Sequence, residues 1–107
     1  MEATPRILRQ YQTPEGAEPF RGWITGLRDA EGRAVVRTRL NRVQGGNFAN
    51  CRSIGEGVHE LKINFGPGYR VYFGVDGEIV VLLNGGDKAS QRRDIARAKE
   101  YWTDYNA

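Results

Sequence analysis

The five residues Ile79 to Leu83 are apolar at every position. A strand with one face in water alternates apolar with polar residues, so an uninterrupted apolar run is a strand covered on both faces, or at least lying centrally in a sheet. Its neighbours stand immediately upstream. In Glu60 to Phe65, the apolar Leu61, Ile63 and Phe65 alternate with Glu60, Lys62 and Asn64. Gly66-Pro67-Gly68 turns the chain, and Tyr69, Val71 and Phe73 then alternate with Arg70 and Tyr72. Asp76-Gly77 joins this run to Ile79 as a hairpin, and Gly85-Gly86 ends the antiparallel meander.

The rest of the chain has helical period. Residues Arg6 to Tyr11 read as a short first strand, closed by Thr13-Pro14-Glu15-Gly16. Pro19 opens a helix in which Phe20, Trp23, Ile24 and Leu27 share one face. Asp29 caps a second helix, with Val36, Leu40 and Val43 turned inward and arginines over much of the remaining surface; Gln44-Gly45-Gly46-Asn47 ends it. Gly32 inside this helix costs about 1 kcal/mol relative to alanine. Gln91, Ile95, Ala98, Trp102 and Tyr105 mark an amphipathic terminal helix. The order predicts an α+β sandwich, a single domain over residues 1–107, with its helices on one face of the sheet.

Composition narrows the class of protein. With 39% hydrophobic and 27% charged residues the chain is neither disordered nor membrane-embedded, and no segment approaches the roughly 20 apolar residues of a membrane span. The start, MEATPRILRQY, lacks the apolar core of an export signal, so a cytoplasmic protein is expected. Cys51 is the only cysteine, which excludes an intrachain disulfide and a cysteine zinc cluster. A net charge of +3 suits either attraction to phosphates and acidic partners or simple solubility.

Strand alternation adds a functional expectation. If the first two helices cover the Leu61 and Val71 face, Lys62, Arg70 and Tyr72 point together to the opposite, open face, and Lys88 arrives at its rim. Clustered cations need an anion. The compensator is either an internal carboxylate, Glu60 or Asp87, or an external phosphate.

At this point the residues resemble a known family. The segments PFRGWITGLRDAEGRAVVRTRL and GNFANCRSIGEGVHELKINFGPGYRVYFGVDGEIVVLLNGGDKASQRRDIARAKEYW, and above all GPGYRVYF, GGDK and DIARAKEYW at this spacing, are similar to the RelE/ParE toxin superfamily of bacterial type II toxin–antitoxin systems, in its HigB-like, phage-related branch of addiction-module killer proteins. The resemblance covers nearly the whole chain. It implies two N-terminal helices packed on a curved antiparallel β-sheet with a C-terminal helix. It further implies a ribosome-dependent, metal-independent mRNA endonuclease that inhibits translation; ParE-like members instead inhibit a protein target such as DNA gyrase, and a catalytically degenerate member is the remaining alternative. No metal and no cofactor are implied. The implied partners are the ribosome and mRNA (gyrase in the alternative) and a cognate helix-turn-helix antitoxin, through which alone the complex would meet operator DNA; no membrane is involved.

Metal-free RNA cleavage needs a base for the 2′-hydroxyl, cations for the phosphorane and an acid for the leaving oxygen. Arg70 stands where the family has its strand arginine and would stabilise the transition state. Lys62 matches a second family cation, Lys88 in GGDK matches a third, and Asp87 would orient Lys88 or Arg70. His59 is either a base or a structural strand histidine. Tyr72 either stacks on a nucleobase or is a buried sheet tyrosine. Arg52, with the arginines of the second helix, either holds ribosomal RNA or forms a solvated face. The chain departs from RelE-like ribonucleases by carrying Glu60 and Asp94 where those have a strand lysine and a terminal tyrosine.

Overall fold

Both early helices begin where the orphan N–H groups of a first turn are dispensed with or capped. A computed structural model describes residues 4–107. Helix α1 (Pro19–Gly26) starts on its proline, and α2 (Ala30–Gln44) on Asp29, whose Oδ1 accepts the Gly32 amide at 2.9 Å. The other oxygen of Asp29 accepts the Tyr69 hydroxyl at 2.7 Å. This pairing explains the glycine inside α2: a Cβ at position 32 would lie 2.3 Å from Asp29 Oδ2 and 2.7 Å from the Tyr69 ring. Gly32, unfavourable by propensity, is thus required by packing. The Gly32 amide, the Tyr69 hydroxyl and nearby Arg33 hold the Asp29 carboxyl below its ordinary range, while burial and Asp29 push the Tyr69 hydroxyl up to about 12.

Five strands form one sheet in the order β1-β5-β4-β3-β2, comprising β1 (Ile7–Gln10), β2 (Cys51–Gly55), β3 (Val58–Lys62), β4 (Arg70–Asp76) and β5 (Ile79–Gly86). The β2 to β5 strands pair antiparallel, but β1 lies parallel to β5, with Ile7 opposite Ile79 and Gln10 opposite Leu82. The expected antiparallel sheet is therefore mixed. Strand β2 was not legible, because CRSIG offers only Cys51 and Ile54 to the interior and its register shifts between Ser53 and Gly55. Strand β3 begins earlier than expected and ends at Lys62, leaving Ile63 to Phe65 in the connection; β5 runs on through both glycines to Gly86.

The layers differ from the expectation of helices on one face. Phe20 and Ile24 of α1 and Val36, Leu40 and Val43 of α2 pack with Leu61, Val71, Phe73, Val80 and Leu82. Helix α3 (Gln91–Tyr105) covers the other face, where Ala98 and the partly buried Ile95, Tyr101 and Trp102 meet Val58, Tyr72, Val81 and Leu83. The reason lies in β5 itself. Val81 and Leu83 point away from Val80 and Leu82, and burying both pairs requires a layer on each side.

Three contacts fix the C-terminal half of α3. Trp102 lies flat on Gly74, where a Cβ would sit 2.3 Å from the indole ring. Tyr11 donates to Asp104 at 2.7 Å, and Arg9 donates to the Tyr105 hydroxyl at 2.9 Å. Among the described residues no helix is long and apolar enough to cross a membrane.

Two expected outcomes test this packing. Gly74→Ala should destabilise the fold by about 1–3 kcal/mol in chemical denaturation, and the penalty should largely vanish in a Trp102→Ala background. Because the Asp29 carboxyl is depressed in the folded state, its contribution is present above its ordinary pKa of 3.8 and is lost as pH falls through the lower folded value. Asp29→Asn, which keeps the cap acceptor, should therefore melt below wild type at about pH 6, with the gap closing when melting curves are taken below pH 3.8.

Candidate functional site

Register places four polar side chains side by side on the α3 face of the sheet. Lys62 is opposite Arg70, and Glu60 is opposite Tyr72. The loop joining β3 to β4 bends through Gly66 and Gly68 at φ of +55° and +81°, a left-handed geometry that favours glycine. Its Gly68 carbonyl accepts the Arg70 guanidinium Nη1 at 2.6 Å. The loop after β5 packs on the same turn, and a Cβ on Gly68 would lie 3.5 Å from the Cβ of Lys88. Lys62, Arg70 and Lys88 consequently line one cavity of about 330 Å³ floored by Gly66-Pro67-Gly68. Lys62 and Lys88 are exposed, and among the described residues neither makes an ion pair.

The expectation of an open cationic face needs correction at Arg70. Its side chain is only 6% exposed, and its Nε lies 3.7 Å from Oε2 of the fully buried Glu60. The same carboxylate accepts Arg52 Nε at 2.9 Å on one oxygen and Gln91 Nε2 at 2.8 Å on the other. A guanidinium removed from water under a helix requires a nearby counter-charge, and Glu60 supplies it. Of the two internal compensators, Glu60 has this role and Asp87 does not. Asp87 Oδ1 instead accepts the Ala89 and Ser90 amides at 2.9 and 3.2 Å, tying the start of α3, and it pairs with neither Lys88 nor Arg70.

Tyr72 lies in this polar layer but is sealed beneath α3 at 0% exposure, so it presents no ring to a nucleobase. Burial, with Glu60 and Asp94 adding to it, pushes its hydroxyl above the ordinary tyrosine range. His59 is separated from the cations altogether: it packs on the α1/α2 side, stacked on Phe73 at 5.4 Å. Alternation along β3 puts its ring on the face opposite Glu60 and Lys62. Arg52 sits on the exposed edge strand β2 as the outer clasp of Glu60. Asp94 is buried, accepts the Ser90 hydroxyl and lies 3.7 Å from Arg93. Burial pushes the Cys51 thiol up to about 11, which keeps it protonated at neutral pH.

Sequence reasoning overlooked Gln91 and Asn84. Gln91 reaches from the first turn of α3 to Glu60, and buried Asn84 donates to the Asp94 carbonyl at 3.1 Å. Their signal was weak: a glutamine on the inner face of an otherwise apolar helix stripe, and an asparagine ending an apolar strand. The layer is incompletely satisfied, since Arg70 Nε, Tyr72 Oη and Asn84 Oδ1 lack hydrogen-bond partners. Among the described residues no cluster of three or more His, Cys, Asp or Glu is placed to hold a metal ion.

Removing one member of the buried pair should expose the dependence of Arg70 on Glu60. Glu60→Leu is expected to cost roughly 3–5 kcal/mol in denaturant unfolding, and Glu60→Leu with Arg70→Met to recover most of that loss.

No protein-family model matches the chain, and no solved structure matches it. An uncharacterized protein of Haemophilus influenzae (strain ATCC 51907 / DSM 11121 / KW20 / Rd) is 42% identical over 81 residues, which cover 75% of this chain and 82% of the relative. At that identity and coverage, the chain belongs to the same family as this Haemophilus influenzae protein.

Proposed function

We propose that the chain is the toxin of a type II toxin–antitoxin system, a RelE/ParE-like, HigB-like cytoplasmic protein that acts on mRNA at the ribosome. The observation carrying this reading is the convergence of Lys62, Arg70 and Lys88 on one cavity, with both lysines exposed and, among the described residues, in no ion pair. A pocket with this lining attracts a phosphodiester. The lysine ammonium groups neutralise its charge, and Arg70, fixed by Glu60 and the Gly68 carbonyl, presents an oriented guanidinium at the cavity wall. The proposed fold within this reading is two N-terminal helices on a curved sheet with a terminal helix.

The chemistry asked of the site is cleavage by the 2′-hydroxyl. Among the described residues no histidine, tyrosine or carboxylate lines the cavity, so Lys62 and Lys88 are the side chains there that can exchange a proton. That same lining favours a second reading, in which the toxin binds a protein target such as gyrase without acid–base chemistry. In either case a helix-turn-helix antitoxin neutralises the chain and carries the complex to operator DNA.

Induced expression followed by primer extension of cellular transcripts, beside a supercoiling assay, tests the reading. Growth arrest with ribosome-dependent cuts and unchanged supercoiling is expected; altered supercoiling with intact transcripts would replace the nuclease by the second reading. Lys62→Ala with Lys88→Ala should abolish the arrest. It should also lower the salt slope of single-stranded RNA binding by about 1.4, at roughly 0.7 for each phosphate that a lysine no longer neutralises.

A further inference from the structure

We propose that the cavity across the end of β5, between α1 and the first turn of α3, is a binding pocket for a guanine base. Its volume is about 500 Å³, and Trp23, Gly85, Gly86, Asp87, Arg93 and Asp94 supply its walls and floor. The last two residues of β5 carry no side chain, and that absence lets the walls close in. A Cβ on Gly85 would collide with the Trp23 ring, and one on Gly86 with the Asp94 carboxylate. Trp23 is further held by Phe20, at 5.8 Å between ring centres, and by Tyr69, edge-on at 6.0 Å. A half-buried indole fixed in this way is a rigid aromatic wall of the kind on which unpaired bases pack.

The polar lining selects the base. Asp94 is buried, and its Oδ2 accepts the Ser90 hydroxyl; its Oδ1 accepts no hydrogen bond among the described residues and lies 3.7 Å from Arg93 Nε. Asp87 uses Oδ1 on the Ala89 and Ser90 amides, and its Oδ2 accepts none among the described residues. The Arg93 side chain is exposed. Two carboxylates against one guanidinium repel a phosphate, so this is not a second polyanion site. The carboxylates call for adjacent donors and the guanidinium for adjacent acceptors. Of the four RNA bases guanine has both: N1–H beside its N2 amino group on one edge, and O6 with N7, the pair that arginine meets bidentately. Adenine and cytosine each set one amino group beside a ring nitrogen that a carboxylate repels, and uracil has a single N–H between two carbonyls. Lys88 lines the cationic cavity, while its neighbours Asp87 and Ala89 line this one. A strand with its phosphate at Lys88 thus has this pocket beside it for the adjoining base. In that use the inference rests on the nuclease reading, naming guanine as the base next to the cut; binding of the base itself does not.

The probe is guanosine, which has no phosphate to engage the lysines, titrated into the ¹⁵N-labelled full chain. Two tryptophans report separately, Trp23 at the pocket and Trp102 on Gly74. A saturable shift of the Trp23 indole N–H is expected, with Trp102 still. Adenosine, cytidine and uridine should bind about tenfold more weakly or worse, and inosine, which lacks the N2 amino group, should lose about tenfold. Arg93→Gln, a change on an exposed side chain, should weaken guanosine by a similar factor. An unmoved Trp23, equal affinity for the four nucleosides, or indifference to the N2 amino group would overturn the proposal. Lys62→Ala with Lys88→Ala separates it from the nuclease reading: guanosine binding should survive in that variant, and its loss there would overturn a distinct pocket. Guanosine binding in a chain that cuts no transcript would uphold the pocket and end the nuclease reading. Transcripts cut without regard to guanine would uphold the nuclease and overturn the pocket's use in RNA.

Discussion

Burying the Glu60 carboxylate beneath α3 organises the whole polar side of this protein. A carboxylate removed from water is costly unless cations and hydrogen bonds meet it, and Arg70, Arg52 and Gln91 do so from three different elements. Strand β4 supplies Arg70, edge strand β2 supplies Arg52, and the first turn of α3 supplies Gln91. The carboxylate therefore ties the outer strand, the inner strands and the terminal helix together. It also divides the cations by role: Arg70 becomes a fixed, neutralised wall group, while Lys62 and Lys88 keep their charge for solvent or a ligand.

The same arrangement relocates the expected site. An open sheet face would have offered Arg70, Tyr72 and Lys62 as a broad cationic platform. With α3 in place, Tyr72 is sealed and the accessible part contracts to the end of the β3–β4 hairpin, where Gly66-Pro67-Gly68 and the Lys88 loop meet. What remains is a recess of about 330 Å³ that, among the described residues, no histidine or carboxylate lines. Under the proposed nuclease reading, this recess would hold the polyanion and leave proton transfer to its two amines.

Much of this was legible in the residues, and the misses have physical causes. Three helices and most strands followed from period, and the shared side of Lys62, Arg70 and Tyr72 followed from alternation. The covered second face was announced by Ile79 to Leu83, since an all-apolar strand cannot leave one side in water; placing every helix on one face disregarded that constraint. Glu60 was readable as a compensating carboxylate, but choosing it over Asp87 needed the α3 position, because Asp87 is drawn to the amides of Ala89 and Ser90. Parity with Leu61, which faces α1 and α2, was enough to set His59 apart from the cations, and the expectation of His59 as a base disregarded it. Strand β2 and the parallel β1 pairing were not readable. An exposed edge strand carries almost no apolar pattern, and strand direction depends on how the intervening helices return the chain.

The chain has three lysines, which makes the central claim directly measurable. Lys62 and Lys88 line the cavity, and Lys99 is held by Glu56 at 3.2 Å on α3. In a lysine-selective NMR titration with a short single-stranded RNA, the account requires the Lys62 and Lys88 ammonium signals to shift together while Lys99 stays still. Shifts confined to Lys99 or to the arginines of α2, with the two cavity lysines unmoved, would contradict it.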